Sequence, residues 1–450
     1  MMSAITRFFG LTRNKTFPGG GVHPSDAKEM SKECAIDDSF VPETLTVLLQ
    51  QHIGRPAEPV VERRAEVKKG QLIGEAQGFI SANVHSPVSG TVKRIDNFPS
   101  PITGRPVPGV IIENDGEDEW AEGCLIERDP WSLASKEMAD IVQEAGIVGL
   151  GGATFPTHVK LMPPPDARIE HVLINGVECE PFITSDYRLM MAYPKEIVEA
   201  LKLIMKTVGA PNGHIGIEAN KPDAVQRLSK AAEHEPAVEV HVLDVKYPQG
   251  AEHQLIKALL KREIPNKGGL PSAIGCLVHN VATALAIRSA LCQNMPLIER
   301  LVTVTGEGVE TPANLLLRFG TSIEEVLLRQ GTKEGADKLI LGGPMMGIAQ
   351  ASADIPTIKG TNAILLLKNA GKWRSRPCIR CGRCVEYCPY GLMPNELSIL
   401  CENQDWDAAM SMNILECKEC GSCSFGCPAK RQIVHLVKFG KSEIAKRPKK

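Results

Sequence analysis

Eight of the fourteen cysteines form two runs near the C-terminus, Cys378 to Cys388 and Cys417 to Cys427, and their spacing is the strongest chemical signal in the chain. Cys378-x2-Cys381-x2-Cys384-x3-Cys388-Pro389 is followed by Cys417-x2-Cys420-x2-Cys423-x3-Cys427-Pro428. Each cysteine of the first run has a twin 39 residues further on, so the unit is duplicated. A structural zinc needs four ligands, and two CxxC pairs would suffice for it. Here three thiolates recur at two-residue intervals, enough to wrap one face of a cubane, and a fourth is set apart before a proline. That is the spacing of two-cluster [4Fe–4S] proteins, in which the fourth cysteine serves the other cluster. The expected ligand sets are therefore crossed: Cys378, Cys381, Cys384 and Cys427 for one cluster, and Cys417, Cys420, Cys423 and Cys388 for the other. Such a pair relays single electrons and is not a reaction site. The remaining cysteines (Cys34, Cys124, Cys179, Cys276, Cys292, Cys401) are scattered and read as small buried apolar residues.

A second constellation lies in the middle of the chain. The loop Gly149-Leu150-Gly151-Gly152-Ala153-Thr154-Phe155-Pro156-Thr157 follows a helical pattern at 135–145, and Lys160 stands just beyond it. Positions without side chains let backbone N–H groups approach an anion, and a lysine supplies counter-charge. A helix precedes the loop, so it is not the strand–GxGxxG–helix of a dinucleotide fold. The next strand pattern ends in Asn175-Gly176-Val177-Glu178-Cys179-Glu180-Pro181. Ligands of open α/β sheets bind beyond such strand ends. Two further elements follow, Tyr247-Pro248-Gln249-Gly250-Ala251-Glu252 and His279-Asn280-Val281-Ala282-Thr283.

The elements that must hold these groups fit a chain of 450 residues, long enough for about three or four domains. Hydrophobic residues make up 43% and aromatics only 4%, so the cores must be aliphatic. A net charge of −2 excludes nucleic-acid binding by bulk charge. No apolar run approaches the length of a membrane span, and the first twenty residues lack the apolar stretch of a signal peptide. The expected location is therefore the cytoplasm, with docking on a membrane through partners. Residues 131–295 alternate helix and strand: helices at 135–145, 194–208, 222–233 and 251–262, and strands at 168–174, 214–218 and 238–245. This is the rhythm of an open α/β sheet. Residues 36–115 are rich in β-branched residues, Gly and Pro, with short strand pairs at 67–74 and 85–92. Residues 395–412 read as helical, with Leu397, Leu400 and Ala408 as inward positions.

Several resemblances follow from these motifs. The segments 67–74 and 85–92 resemble the halves of a lipoyl/biotinyl-type barrel-sandwich domain, but the tip between them, Gln77-Gly78-Phe79-Ile80-Ser81, has no lysine for an attached cofactor. Residues 299–350, opening with Leu301-Val302-Thr303-Val304-Thr305-Gly306, resemble an SLBB-type β-grasp unit. The glycine loop, the strand end and the two later elements resemble the GxGGAGFPTxxK, N-x-D-E-x-E-P, Y-x-x-G-E-E and N-N-V-E-T motifs of the flavin- and NADH-binding subunit of respiratory complex I. In this order, with the sandwich before and the cysteines after, the chain resembles the C subunits of the Rnf (Rsx) ion-translocating electron transport complexes over residues 15–440. The resemblance implies a multidomain α/β protein. Its domains are a barrel-sandwich at 1–128, an open α/β FMN/NADH domain at 129–297, a β-grasp SLBB domain at 298–352, a linker at 353–372, a helical two-cluster ferredoxin domain at 373–440 and a basic tail at 441–450. It implies FMN on Gly149, Gly151, Gly152, Lys160, Asn175, Asn280 and Thr283, and nicotinamide contacts near Phe155, Glu178, Glu180 and Glu252. The flavin would carry the hydride chemistry, so no catalytic acid or base is expected. Implied partners are the other subunits of a membrane complex, including a ferredoxin-like iron–sulfur protein, on the cytoplasmic side of a bacterial inner membrane.

The chain departs from the complex I pattern at several positions, among them the following. Thr154 replaces a glycine, Val177 an aspartate and Ala251 a glutamate, and Leu161-Met162-Pro163 lacks an aromatic. These changes remove polar contacts, and they keep a flavin-less relay scaffold open as one alternative. Another is the diaphorase module of a hydrogenase or formate dehydrogenase, although the duplicated cysteine set argues against it. The last 80 residues carry a local charge of +6, with Arg374, Arg376, Arg380 and Arg383 around the first cysteine run and Lys446, Arg447, Lys449 and Lys450 at the end. Two readings of this charge stand: docking to an acidic partner or anionic lipid, and compensation of thiolate charge with a solubilising tail.

Overall fold

The computed structural model describes residues 14–266, 268–371 and 374–447. Lys449 and Lys450, and the first thirteen of the residues expected to lack a signal peptide, lie outside the described residues.

The α/β unit is a four-stranded parallel sheet in the order Val238–Leu243, Asn212–Glu218, His171–Gly176, Cys276–Asn280. Both faces are covered, which is why its strands read as apolar runs without strict alternation. Helix Pro194–Val208 shows how the sequence sets an element. Proline opens its first turn, Gly209 closes it in the left-handed region, and Ile197, Leu201 and Ile204 form one buried stripe. The chain leaves the first strand to one side, then returns with Cys276–Asn280 on the other. The order therefore reverses between His171–Gly176 and Cys276–Asn280, where Asn175 and Asn280 are cross-strand partners. A sheet of this kind offers its ligand crevice at that point.

The N-terminal sandwich pairs a four-stranded sheet (Thr44–Leu48, Pro106–Asn114, Gly90–Pro99, Glu66–Val67) with a three-stranded one (Glu58–Pro59, Leu72–Glu75, Val84–His85). Leu45, Val47, Ile73, Val92 and Ile112 fill the space between them. Its tip folds back onto the α/β unit, where the Phe79 carbonyl lies 2.9 Å from His158 Nε2. Residues 14–37 do not belong to the sandwich. They form a strap that bridges Val22 to Tyr247 and ends as Ile36–Asp37 on the edge of the β-grasp sheet.

The β-grasp sheet has six strands in the order Ile36–Asp37, Ala313–Arg318, Glu299–Thr305, Ala363–Lys368, Ala336–Leu341, Ile348–Gln350, with helix Ile323–Gln330 against it. This corrects the expected linker at 353–372. Ala363–Lys368 is an inner strand, and its run of buried Ala363, Ile364, Leu365 and Leu366 closes the core.

The cysteine module is helical: Arg383–Glu386, Pro394–Glu402, Trp406–Ser411, Ser422–Phe425 and Ile433–Lys446. The expected helix at 395–412 is two helices. Gln404 takes a positive φ and the Asp405 carboxylate caps the second helix through Ala408 N–H. The break resets the helical phase, so Ala409 is fully buried in place of the expected Ala408, while Leu397 is inward and Leu400 half-buried. The final helix reaches Lys446, so the basic end begins as ordered helix and not as a tail from 441.

Candidate functional site

The glycine loop lies over the point where the strand order reverses. Its ends are pinned by Gly149 N–H on the Phe155 carbonyl (2.8 Å) and Thr154 N–H on the Gly149 carbonyl (3.1 Å). Leu150 N–H donates to Thr283 Oγ1 (2.8 Å), and the buried Arg300 guanidinium donates to the Leu150 carbonyl (3.0 Å). A Cβ on Gly151 would sit 3.3 Å from Asn280 Cβ, so glycine is what lets the loop reach the strand end. Gly152, at φ +109°, would project a Cβ into open space, and Gly149 meets nothing closer than 3.7 Å. The loop thus presents an open backbone face, a cradle of the kind a phosphate-bearing cofactor requires. Thr154 does not fill it. Thr154 is buried and turned toward Gly360, where a Cβ would come within 2.9 Å of the threonine methyl.

Around the cradle, Asn280 caps helix Val281–Gln293 by accepting from Ala282 N–H and Thr283 N–H, and its amide donates to Asp186 (2.6 Å). Asn175 Nδ2 donates to the Gly250 carbonyl (2.7 Å). Lys160 Nζ is held 3.1 Å from both Glu252 Oε1 and the Val278 carbonyl, about one-third exposed and so still able to meet an anion. Phe155 is half-buried beside the loop.

The two strand-end carboxylates differ from expectation. Glu180 accepts from Met345 N–H (3.1 Å) and Met346 N–H (2.8 Å) in the β-grasp turn 343–347, so it joins two domains and is not available as a nucleotide contact. Glu178 Oε1 accepts from Asp186 N–H (2.7 Å), while its Oε2 stands 3.8 Å from Lys28 Nζ with no hydrogen-bond donor. Burial pushes both carboxyls up to about 7, and Lys28 opposes this in each. Lys28, Asp186 and Arg300 are the residues that sequence reasoning missed. Lys28 and Arg300 come from other units of the chain, and no local spacing marks any of the three.

The eight cysteines gather into two hollows. Cys378, Cys381, Cys384 and Cys427 line one, and Cys388, Cys417, Cys420 and Cys423 line the other. The grouping is the crossed one. Local geometry is duplicated as well: Arg380 N–H faces Cys378 Sγ at 3.4 Å, and its twin Glu419 N–H faces Cys417 Sγ at 3.4 Å. Such amide–sulfur contacts tune iron–sulfur clusters. Burial, with neighbouring thiols adding to it, pushes Cys417 up to about 11 and also raises Cys420 and Cys423. Thiols so placed become thiolates by binding a cation, which suits a metal cluster. Of the other cysteines, Cys276 and Cys401 are fully buried and Cys34, Cys124, Cys179 and Cys292 are half-buried. Cys179 Sγ accepts from Gly250 N–H (3.3 Å).

The second hollow is built into the rest of the protein. Tyr247 O–H donates to the Cys420 carbonyl (2.6 Å), and Gln254 Nε2 to the Pro389 carbonyl (3.2 Å). From the strap, Gly20 packs on Cys388 and Pro389, and Gly21 N–H donates to the Tyr387 carbonyl (2.9 Å). A single turn therefore touches both sites: Gly250 receives Asn175 from the cradle, and Tyr247 reaches the cysteines.

Fold and site together define a modular redox subunit of the complex I flavoprotein type. Family models match in the same order: the RnfC barrel-sandwich hybrid domain over residues 15–117, the Nuo51 FMN-binding domain over 142–289 and the SLBB domain over 301–349. The C subunit of the proton-translocating ferredoxin:NAD(+) oxidoreductase complex of Clostridium ljungdahlii is 45% identical over 428 residues, spanning 94% of this chain and 93% of that protein. The C subunit of the Na(+)-translocating ferredoxin:NAD(+) oxidoreductase complex of Acetobacterium woodii is 41% identical, spanning 94% and 96%. That of the ion-translocating oxidoreductase complex of Rhodobacter capsulatus is 40% identical, spanning 95% and 83%. Among solved structures, a chain of an air-oxidised NAD+-reducing [NiFe]-hydrogenase has a similar fold (TM-score 0.52, 16% identity, 72% of this chain and 69% of that one). The chain belongs to the family of C subunits of ion-translocating ferredoxin:NAD(+) oxidoreductase complexes.

Proposed function

We propose that this chain exchanges electrons with NAD(H) and passes them, through its cysteine module, to an iron–sulfur partner in a membrane-bound ion-translocating complex. FMN would supply hydride exchange and its division into single electrons, and two [4Fe–4S] clusters would supply the relay. The chain's own groups provide the positions. Gly149, Gly151 and Gly152 leave the face of the loop clear of side chains for a phosphate, and Lys160 adds positive charge. Asn175, Asn280 and Thr283 fix the loop and the sheet edge beneath it. Phe155 and Glu252 flank the cradle as nucleotide contacts, and Glu178 Oε2 is a buried acceptor left without a donor.

The observation that carries this reading is the turn from Tyr247 to Gly250, which ties the cradle to the hollow of Cys388, Cys417, Cys420 and Cys423. The other hollow faces outward. Cys381 and Ile379 are exposed there, as are Arg374, Arg376, Arg380 and Arg383, a surface suited to an acidic electron-transfer partner. No helix among the described residues is long and apolar enough to cross a membrane. In this reading attachment is peripheral, on the cytoplasmic face of the inner membrane, and ion movement belongs to other subunits. Relatives named for proton and for sodium translocation match the chain about equally, which agrees with that division.

The test is anaerobic purification with iron, sulfide and flavin quantification, followed by NADH:ferricyanide assay. About eight irons and one FMN per chain, with activity, are expected. Iron without flavin or activity would make the chain a relay scaffold, and zinc in place of iron would end the redox reading.

A further inference from the structure

One cluster of imidazoles belongs to neither the cradle nor the hollows. His171, His214 and His241 come from three adjacent parallel strands and stand in a row. His171 Nδ1 is 2.9 Å from His214 Nε2, and His214 Nδ1 is 2.9 Å from His241 Nε2. The row ends at Lys15 of the strap, whose Nζ is 2.8 Å from His241 Nδ1. Glu239, two residues before His241 on the edge strand, places Oε2 3.5 Å from His241 Nε2 and 4.0 Å from His214 Nδ1. His214 and His241 are buried while the Glu239 side chain is 66% exposed, so an ion has a way in from solvent.

We propose that His214 Nδ1, His241 Nε2 and the Glu239 carboxylate form a site for one divalent transition-metal ion of the zinc type, with water as the fourth ligand, and that Lys15 competes with the ion for His241. The three ligand atoms are 2.9, 3.5 and 4.0 Å apart. A tetrahedral ion with bonds of about 2.0–2.1 Å needs edges of about 3.3–3.4 Å, within small side-chain adjustments of this triangle. Two imidazoles and one carboxylate suit zinc, cobalt or nickel and not magnesium or calcium. The support behind the ligands is also present. With Nδ1 on the ion, His214 keeps its hydrogen on Nε2 and donates it to His171 Nδ1, the outer contact a metal-bound histidine requires.

Lys15 works against the ion. An ammonium only donates, so its contact with His241 Nδ1 keeps the ring hydrogen on Nε2, the atom an ion must occupy. Ion binding moves that hydrogen to Nδ1 and turns the lysine away. The strap at Lys15 is held by backbone bonds as well, Lys15 N–H to the Val242 carbonyl (3.2 Å) and Asp244 N–H to the Lys15 carbonyl (3.0 Å), so losing the side chain does not unseat it. Removal of a lysine that strengthens metal binding is an effect that a merely structural histidine row does not produce.

The test uses the anaerobic, iron–sulfur-loaded chain titrated with Co2+ and followed by visible absorption, since thiolate ligation would show a sulfur-to-cobalt band. One Co2+ per chain without that band is expected. Glu239→Gln should weaken binding roughly tenfold and Lys15→Met should tighten it roughly tenfold, each the effect of one charged contact. His241→Gln should abolish it in a chain that keeps its iron. Absence of Co2+ binding, binding only with the sulfur band, or an affinity unmoved by both Glu239→Gln and Lys15→Met would overturn the proposal. Those two variants change partly exposed side chains and decide the matter even if His241→Gln does not fold.

Discussion

The two cysteine runs are local copies placed in opposite surroundings. Gly382 and Gly421 are twins, each opening a short helix with φ near +80°. A Cβ on Gly382 would meet nothing within 4 Å, whereas one on Gly421 would lie 2.8 Å from the Met345 carbonyl. Cys381 is exposed and its twin Cys420 is buried, with Tyr247 on its carbonyl. Duplication thus gave two equivalent hollows, and packing made one internal and the other external. The difference lies in the strap, the 247–250 turn and the β-grasp turn 343–347, all of which meet at the second hollow. A relay held in these hollows would acquire direction in this way: the copies are alike in their thiols and differ in which neighbour each can reach.

The largest expected effect breaks the crossing itself. Cys388→Ser should cost about four of about eight irons and remove the electron-paramagnetic signal of the cluster held by the second run. Cys427→Ser should do the same to the first. If each variant instead lost the cluster of its own run, the shared hollows would be wrong.

A smaller effect isolates packing from ligation. Gly382→Ala and Gly421→Ala share the strain of a left-handed residue, about 1–2 kcal/mol, so it cancels between them. Gly421→Ala should be worse by a further ~1–3 kcal/mol of overpacking, read as a lower melting temperature with looser attachment of the module under limited proteolysis. Equal melting temperatures would deny that the second run is the docked one.

The smallest effect concerns pH at that junction. Glu180 is held near 7, above the ordinary carboxyl value of 4.5. A raised carboxyl stabilises the folded chain below its ordinary value, and that contribution is lost as pH rises from 4.5 through about 7. Glu180→Gln should therefore flatten the decline in melting temperature across that window. An unchanged slope would place the titration elsewhere.

Much of this is legible in the residues, and the misses have physical causes. Fixed short spacings carry the cysteine sets and the glycine loop, because the neighbours that matter lie within a few positions. Helical periodicity gives Pro194–Val208 to the residue, since proline and glycine mark both of its ends. The run at 363–368 reads as linker because a short apolar strand has no period to distinguish it. Glu180 resembles a nucleotide ligand in sequence because the amides of Met345 and Met346, which engage it, come from a segment about 165 residues away. Contacts of that range leave no local pattern. The environment of each hollow is illegible for the same reason, although its ligands are not.

The most direct measurement of the central claim is NADH-driven reduction, under anaerobic conditions, of two twin variants, Cys381→Ser in the outer hollow and Cys420→Ser in the inner one. NADH should still reduce the remaining cluster in Cys381→Ser at close to the native rate, and should fail to reduce the remaining cluster in Cys420→Ser while ferricyanide reduction persists. Fast reduction in Cys420→Ser with none in Cys381→Ser would reverse the order of the two hollows and contradict the account.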